Sequence, residues 1–275
     1  MMHCGRRQAQ GGGEVRADSE GPKPRRLQGR IALVTGASRG IGSFLAQVLA
    51  REGARVALAA RSQHLLAETA AAIAHAEGSA EAVSMDVSSA DSISHGFDTL
   101  VARVGLPTVI VNNAGITETT EAVRQTTDGF DRILNVNLRG PWLVSCEATR
   151  RLIAAGSGGT IINIASILGL RQGGQVSAYA ITKAGLVQMT RQLALEWARH
   201  GIRVNALAPG YVETDFNRDF FASEKGAALV RRIPMRRLVR MEELVEPFML
   251  LAGDGGAAMT GTVVPVDCGH LLSGL

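Results

Sequence analysis

The stretch Ile31-Ala-Leu-Val-Thr-Gly-Ala-Ser-Arg-Gly-Ile-Gly-Ser-Phe-Leu-Ala-Gln-Val-Leu49 decides the fold. Its first five residues form an apolar strand, Gly36, Gly40 and Gly42 turn the chain, and Phe44, Leu45, Val48 and Leu49 recur at helical spacing. Strand, glycine turn and helix come in the order that phosphate binding requires. Glycines let the backbone approach a pyrophosphate, and a helix N-terminus supplies free N–H groups and the positive end of its dipole. The spacing is Gly-x-x-x-Gly-x-Gly, not the common Gly-x-Gly-x-x-Gly, so the flanking strand and helix carry the reading.

Downstream, strands and helices alternate. Arg55–Ala60 reads as the second strand, Ser62 to about His75 as a helix, Ala82–Met85 as a third strand, and a further helix runs to about Val104. Strand Thr108–Val111 enters the turn-prone Asn112-Asn-Ala-Gly115, and a helix follows from near Asp128 to Ala155. Asn137 interrupts the apolar face of that helix, so it either caps a local kink or serves a site. Strands Thr160–Ala165, Arg203–Ala208 and Thr262–Val266 and a helix from Met241 to Leu251 complete the pattern. Such alternation predicts an α/β Rossmann-type fold, a doubly wound parallel sheet with helices on both faces, in one domain over residues 29–275.

The end of the second strand bears on cofactor choice. An acid there would accept from a ribose 2′-hydroxyl, whereas Arg favours a 2′-phosphate. The sequence has Ala60 and then Arg61, with Arg39 in the glycine turn, which favours NADP(H) unless Arg61 is only a solvated loop charge. Asp86-Val87 lies at the third strand's end, where an acid can hold an adenine amino group.

Chemistry concentrates in Ser166 and in Tyr179-Ala-Ile-Thr-Lys183. Ser166 stands where a buried strand stops. Tyr179 and Lys183, four apart on a helix beginning near Ser177, share a face. A phenol is a poor acid or base at neutral pH, and a neighbouring ammonium is expected to lower its pKa toward a working value. From Ile31 onward the chain has twenty arginines and only two lysines, Lys183 and Lys225, so a compact ammonium beside Tyr179 is a choice against the grain of the composition. The same helix carries Ile181, Leu186, Val187, Leu193, Leu195 and Trp197, more apolar residues than one buried stripe uses, which predicts a homodimer or homotetramer.

Composition excludes other classes. The chain is 275 residues long and 46% hydrophobic, enough for a full core. Its net charge of +4 comes from residues 1–30, which hold seven basic and three acidic residues, leaving a neutral body that argues against nucleic-acid binding. Cys4, Cys146 and Cys268 form no Cys-x-x-Cys pair, pointing to a reducing compartment and a cytoplasmic location. The six histidines show no metal-binding spacing, and no apolar run reaches the ~18 residues of a membrane span. Residues 1–28, rich in Gly, Arg and Gln, are expected to be disordered; Glu14, Asp18 and Glu20 count against an organelle-targeting helix. Asp215–Arg240 mixes Phe216, Phe220 and Phe221 with arginines, suiting either a mobile lid over a substrate or a surface helical hairpin.

Taken together, Thr-Gly-Ala-Ser-Arg-Gly-Ile-Gly, Asn-Asn-Ala-Gly, Ser166, Tyr-x-x-x-Lys and Pro209-Gly210 resemble the short-chain dehydrogenase/reductase family from about Gly29 to Gly269. The resemblance implies a catalytic tetrad of Asn137, Ser166, Tyr179 and Lys183. It also implies cofactor contacts at Gly36, Ser38, Arg39, Ile41, Arg61, Asp86, Val87, Asn113, Tyr179, Lys183, Val212 and Thr214, beside the turn glycines Gly40 and Gly42. The implied substrate is a small ketone or secondary alcohol, foremost a 3-oxoacyl thioester of acyl-carrier protein or CoA, with a sugar, polyol or cyclic alcohol as the alternative. A dinucleotide-binding regulator without turnover is the remote alternative. Val239-Arg-Met241, where such proteins often have Gly-x-Pro, and Cys268, in place of a usual glycine, are the departures.

Overall fold

The computed structural model describes residues 25–214 and 217–273. Seven parallel strands form one sheet in the order β3-β2-β1-β4-β5-β6-β7. They are β1 (Ile31–Thr35), β2 (Arg55–Ala60), β3 (Ser79–Ser84), β4 (Val109–Asn112), β5 (Gly159–Ile164), β6 (Ile202–Pro209) and β7 (Val263–Val266). The strands fall where the sequence places them, to within a residue or so except at β3. That strand starts three residues early, because its Ser-Ala-Glu-Ala opening lies half-covered at the sheet edge and lacks a continuous apolar run.

Helices α1 (Gly40–Arg51), α2 (Gln63–His75) and α3 (Ala90–Arg103) alternate with the first strands. The helix expected from about Asp128 to Ala155 is α4 (Thr127–Leu134) and α5 (Gly140–Ala154), joined through a π-helical turn at Asn135–Arg139. The long α6 (Ser177–Trp197) precedes β6, and the short α7 (Arg218–Ala222) and α8 (Glu224–Val230) pack on each other as a helical hairpin. A 3-10 turn at Met241–Leu244 leads into α9 (Val245–Ala252). Two apolar clusters, one centred on Leu45, Leu49, Val56 and Phe248 and the other on Phe97, Val144, Leu152 and Ile161, cover the two faces of the sheet.

The stretch expected to be disordered lies outside the described residues up to residue 24. Its last four residues do not behave as expected. Arg25–Gln28 form a turn in which Leu27 is buried and Arg26 pairs with Glu52 at 2.6 Å and Glu246 at 2.8 Å, so the folded body begins before Gly29. Leu27 is the one residue there with apolar area to bury, and it anchors the turn on α1 and α9. No helix among the described residues is long and apolar enough to cross a membrane.

Candidate active site

Sheet order reverses between β1 and β4, and there the strand ends part to leave a crevice. Gly36 and Gly40 hold it open with left-handed backbone at φ +65° and +56°. A Cβ on Gly42 would lie 2.3 Å from both the Gly36 carbonyl oxygen and Asn113 Nδ2, so no other residue fits. Asn113 spans the crevice floor: Nδ2 donates to the Thr35 and Gly36 carbonyls at 3.0 and 3.2 Å, while its own N–H and that of Ala114 donate to Thr35 Oγ1 at 3.1 Å. Arg39 precedes α1 in extended conformation without capping it, so no side chain competes for the N–H groups of the first turn.

The cleft measures about 790 Å³. Of the expected contacts, Gly36, Ser38, Arg39, Ile41, Gly42, Arg61, Asp86, Val87, Asn113 and Thr214 line it, joined by Gly115 of the Asn-Asn-Ala-Gly turn and by Ser62 and Ile116, which the sequence did not single out. Gly40 shapes the turn without lining the wall. Val212 is buried in the core, bridged to Val239, and its carbonyl accepts from Asn217 Nδ2 at 2.8 Å. The guanidinium groups of Arg39 and Arg61 are exposed and have no hydrogen-bond or ion-pair partner among the described residues. Burial alone would raise the Asp86 pKa, but Ser88, donating from N–H at 2.9 Å and Oγ at 2.7 Å, and the charge of Arg61 hold it below the usual range. A glycine turn with close backbone approach, an uncapped helix and two free arginines fit a phosphorylated dinucleotide.

The crevice ends at a denser cluster. A Cβ on Gly115 would stand 3.5 Å from Asn137 Oδ1 and 3.8 Å from Lys183 Nζ, so cleft and cluster adjoin. Asn137, fully buried in the π-helical turn, accepts from the Ile116 N–H at 2.8 Å and donates to the Ile116 carbonyl at 2.8 Å and Thr182 Oγ1 at 3.3 Å. Kink and site thus coincide: the π turn turns the amide onto the exit of β4 and onto α6. Ser166 lies two residues past β5 and accepts from the Leu168 N–H at 3.1 Å, and the 3-10 turn that follows packs so tightly that a Cβ on Gly169 would lie 2.6 Å from the Lys183 carbonyl. Thr182 and Gly169 both went unnoticed in the sequence, since neither residue type signals a contact across the fold.

Lys183 is buried and donates to the Ile164 carbonyl at 2.7 Å. Its Nζ lies 5.5 Å from the Tyr179 ring centroid. The expected lowering of the phenol by this ammonium is not what the geometry gives. Burial pushes Tyr179 up, and the opposing influence is the Ser166 hydroxyl, because the ammonium sits over the ring and is committed to a carbonyl. Lys183 itself falls to about 8, by desolvation.

A crevice at the switch point of a doubly wound sheet, running from phosphate-binding turn to buried acid/base cluster, defines a dinucleotide-dependent oxidoreductase. Comparison narrows the class. A family model described as enoyl-(acyl carrier protein) reductase matches residues 36–270. The 3-oxoacyl-[acyl-carrier-protein] reductase FabG of Pseudomonas aeruginosa is 40% identical over 250 residues, covering 90% of this chain and 99% of that one. The 2-dehydro-3-deoxy-D-gluconate 5-dehydrogenase of Escherichia coli is 33% identical over 89% of this chain and 96% of its own. Among solved structures, a putative NAD(P)-dependent gluconate 5-dehydrogenase from Beutenbergia cavernae, with bound NADP, superposes with a TM-score of 0.85 at 39% identity, covering 91% of this chain and all of that one. The chain belongs to the short-chain dehydrogenase/reductase family.

Proposed function

We propose that the protein is an NADP(H)-dependent reductase of 3-oxoacyl thioesters, interconverting a ketone and a secondary alcohol. The observation that carries the reaction is the convergence of Ser166, Tyr179 and Lys183 at the end of a cleft whose other end presents two unpartnered arginines. Gly36, Ser38, Ile41, Gly42 and the first turn of α1 would hold the pyrophosphate, Asp86 and Val87 the adenine, Arg39 and Arg61 the 2′-phosphate, and Asn113, Thr214 and Lys183 the nicotinamide half. When bound, the dinucleotide supplies or accepts the hydride.

Ser166 donates to the substrate oxygen and steadies the charge that develops there. Tyr179 delivers or takes the proton at the same oxygen. Its raised pKa keeps the phenol protonated at neutral pH, the form needed for reduction. Lys183, neutral or charged near pH 8, can exchange a proton with its surroundings, and Asn137 fixes the Ile116 backbone and α6 so that these groups keep their spacing.

The thioester reading is supported by the FabG relative, which aligns over nearly its whole length. A second reading, oxidation of a sugar acid, is supported by the gluconate-type relatives on the same scaffold. Initial rates on acetoacetyl-CoA, a keto sugar acid and a cyclic ketone, each with NADPH and NADH, separate the two. A preference for the keto acid over the thioester overturns the first.

We further propose that the protein forms a homodimer or homotetramer through α5 and α6. Trp142, Ile181 and Leu195 are 49%, 53% and 78% exposed, and a shallow apolar groove of Leu134, Leu138, Trp142 and Met189 runs between the helices. Sedimentation showing only monomer at micromolar concentration contradicts this.

A further inference from the structure

Near Tyr179, whose phenol feels the charge of Tyr211, the ends of β6 and β7 carry a cluster that the reaction as described does not use. Tyr211 follows β6; its ring meets those of Phe221 at 5.6 Å and His270 at 5.4 Å. Arg171, five residues beyond Ser166, donates through Nη1 alone, to the His270 carbonyl and to Ser273 Oγ at 3.0 Å. Both acceptors are neutral. The guanidinium is therefore fixed in place while its Nε–Nη2 edge has no partner among the described residues. That edge is the fork that matches a carboxylate or phosphate with two parallel hydrogen bonds.

A second cation, Arg232, stands close enough to act on His270. The loop after Arg232 is held on the same turn: the Met235 N–H donates to the Cys268 carbonyl at 3.2 Å, and a Cβ on Gly269 would touch Pro234 at 3.3 Å. Arg232 has no side-chain partner among the described residues, and the carboxylate of Asp267 is occupied by the N–H groups of Gly269 and Leu271, at 2.9 and 2.7 Å. His270 is buried with Nδ1 unpartnered among the described residues, and burial together with Arg171 and Arg232, against the opposing charge of Asp267, lowers its pKa, so it adds no third charge. The pinned Arg171 and the exposed Arg232, opposed by the single carboxylate of Asp267, leave a net positive field beside the aromatic wall of Tyr211 and Phe221 that attracts anions.

We propose that the ketone substrate carries an anionic group, a carboxylate or a phosphate, and that the free edge of Arg171, backed by Arg232, receives it. This rests on the reading of the site as a ketone reductase and selects within it, since a neutral polyol or cyclic alcohol leaves both arginines without a role.

The test uses matched pairs with NADPH: acetoacetyl-CoA against the neutral acetoacetyl thioester of N-acetylcysteamine, and a 5-oxohexonate against the neutral 5-oxohexose. Each is assayed with wild type, Arg171→Gln, Arg171→Lys and Arg171→Gln/Arg232→Gln. The readout is the ratio of kcat/KM for the anionic over the neutral member. Arg171→Gln should lower that ratio about tenfold or more through KM, the double variant further, and Arg171→Lys should recover part of it. Loss of packing would depress both members together and leave the ratio where it was. A ratio unmoved by the double variant overturns the inference, even with brisk thioester reduction. Turnover of the oxohexonate pair alone, with the ratio falling as expected, supports the inference and overturns the thioester reading. No turnover of either pair overturns both.

Discussion

The two ends of the crevice are built on opposite principles. At the glycine turn, recognition is local: backbone of one turn, one uncapped helix and two exposed arginines, all within about thirty residues of sequence. At the Tyr179 end, the groups are buried, and each is held by a different element, Asn137 by the exit of β4, Ser166 by the 3-10 turn at Ile167–Gly169, Lys183 by the Ile164 carbonyl at the end of β5. Exposed charges can be exchanged with little cost to the fold, so cofactor choice is adjustable there. Desolvated groups derive their pKa values from the whole fold, so the chemistry is fixed at the other end.

The largest effect should come from breaking the buried end. Tyr179→Phe removes the proton carried to the substrate oxygen and leaves the glycine turn intact. Turnover should fall by ~10²–10⁴, while NADPH affinity by fluorescence titration stays within about twofold. A variant retaining more than a tenth of wild-type activity would remove Tyr179 from its proposed role.

The buried ammonium gives the next effect. Below about pH 8, Lys183 is protonated in both native and unfolded chains, and the cost of burying its charge is fully present. Between about 8 and the ordinary lysine value near 10.5, the native state loses this proton and the unfolded state keeps it, so stability rises with pH through that window. Urea melts should show wild type gaining about 2 kcal/mol by pH 10 relative to Lys183→Met, whose profile lacks this step. Parallel pH profiles for the two proteins would mean that Lys183 titrates normally.

The exposed end should respond less, and reversibly. Neither Arg39 nor Arg61 has a hydrogen-bond or ion-pair partner to lose among the described residues, and Ala60 offers nothing negative to a 2′-phosphate. One charge-assisted bond of ~1.5–3 kcal/mol, reduced by screening, gives a preference for NADPH of roughly tenfold. Replacing Ala60 with Asp and Arg61 with Ser should reverse it in kcat/KM at low salt with little change in thermal midpoint. Equal efficiency of the wild type with both cofactors would return Arg61 to a solvated loop charge.

This contrast also explains what the sequence made legible. The alternation of strands and helices, the glycine turn and the Tyr/Lys spacing are periodic or local, so they could be read directly. The clamp of Asn137 on Ile116 spans 21 residues and its bond to Thr182 spans 45, so no local pattern announces them. The same holds for Gly169 against Lys183 and for Leu27 closing the base of the body. The pKa of Tyr179 departs from the expectation for a related reason: spacing places the ammonium on the right face, but the carbonyl of Ile164 decides where it points.

Cys268 provides the smallest and most local test, because it lies in a strained turn outside both the glycine loop and the tetrad. It adopts φ +55°, a left-handed conformation unfavourable to residues with a Cβ, directly before Gly269 at φ +81°. Its half-buried side chain packs against the apolar cluster of Leu45 and Phe248, and Sγ reaches the Leu238 carbonyl at 3.7 Å, so some packing is lost with it. Relief of ~1–2 kcal/mol of backbone strain is offset by the ~0.5–1 kcal/mol of extra freedom that glycine gives the unfolded chain. Cys268→Gly should therefore stabilise by no more than about 1 kcal/mol, raising the thermal midpoint by ~2–4 °C. Gly269→Ala should move it the other way, since its Cβ would meet Pro234 at 3.3 Å as well as an unfavourable φ. A drop in midpoint for Cys268→Gly would show that the thiol's packing outweighs its strain, and that this turn is held from the buried side.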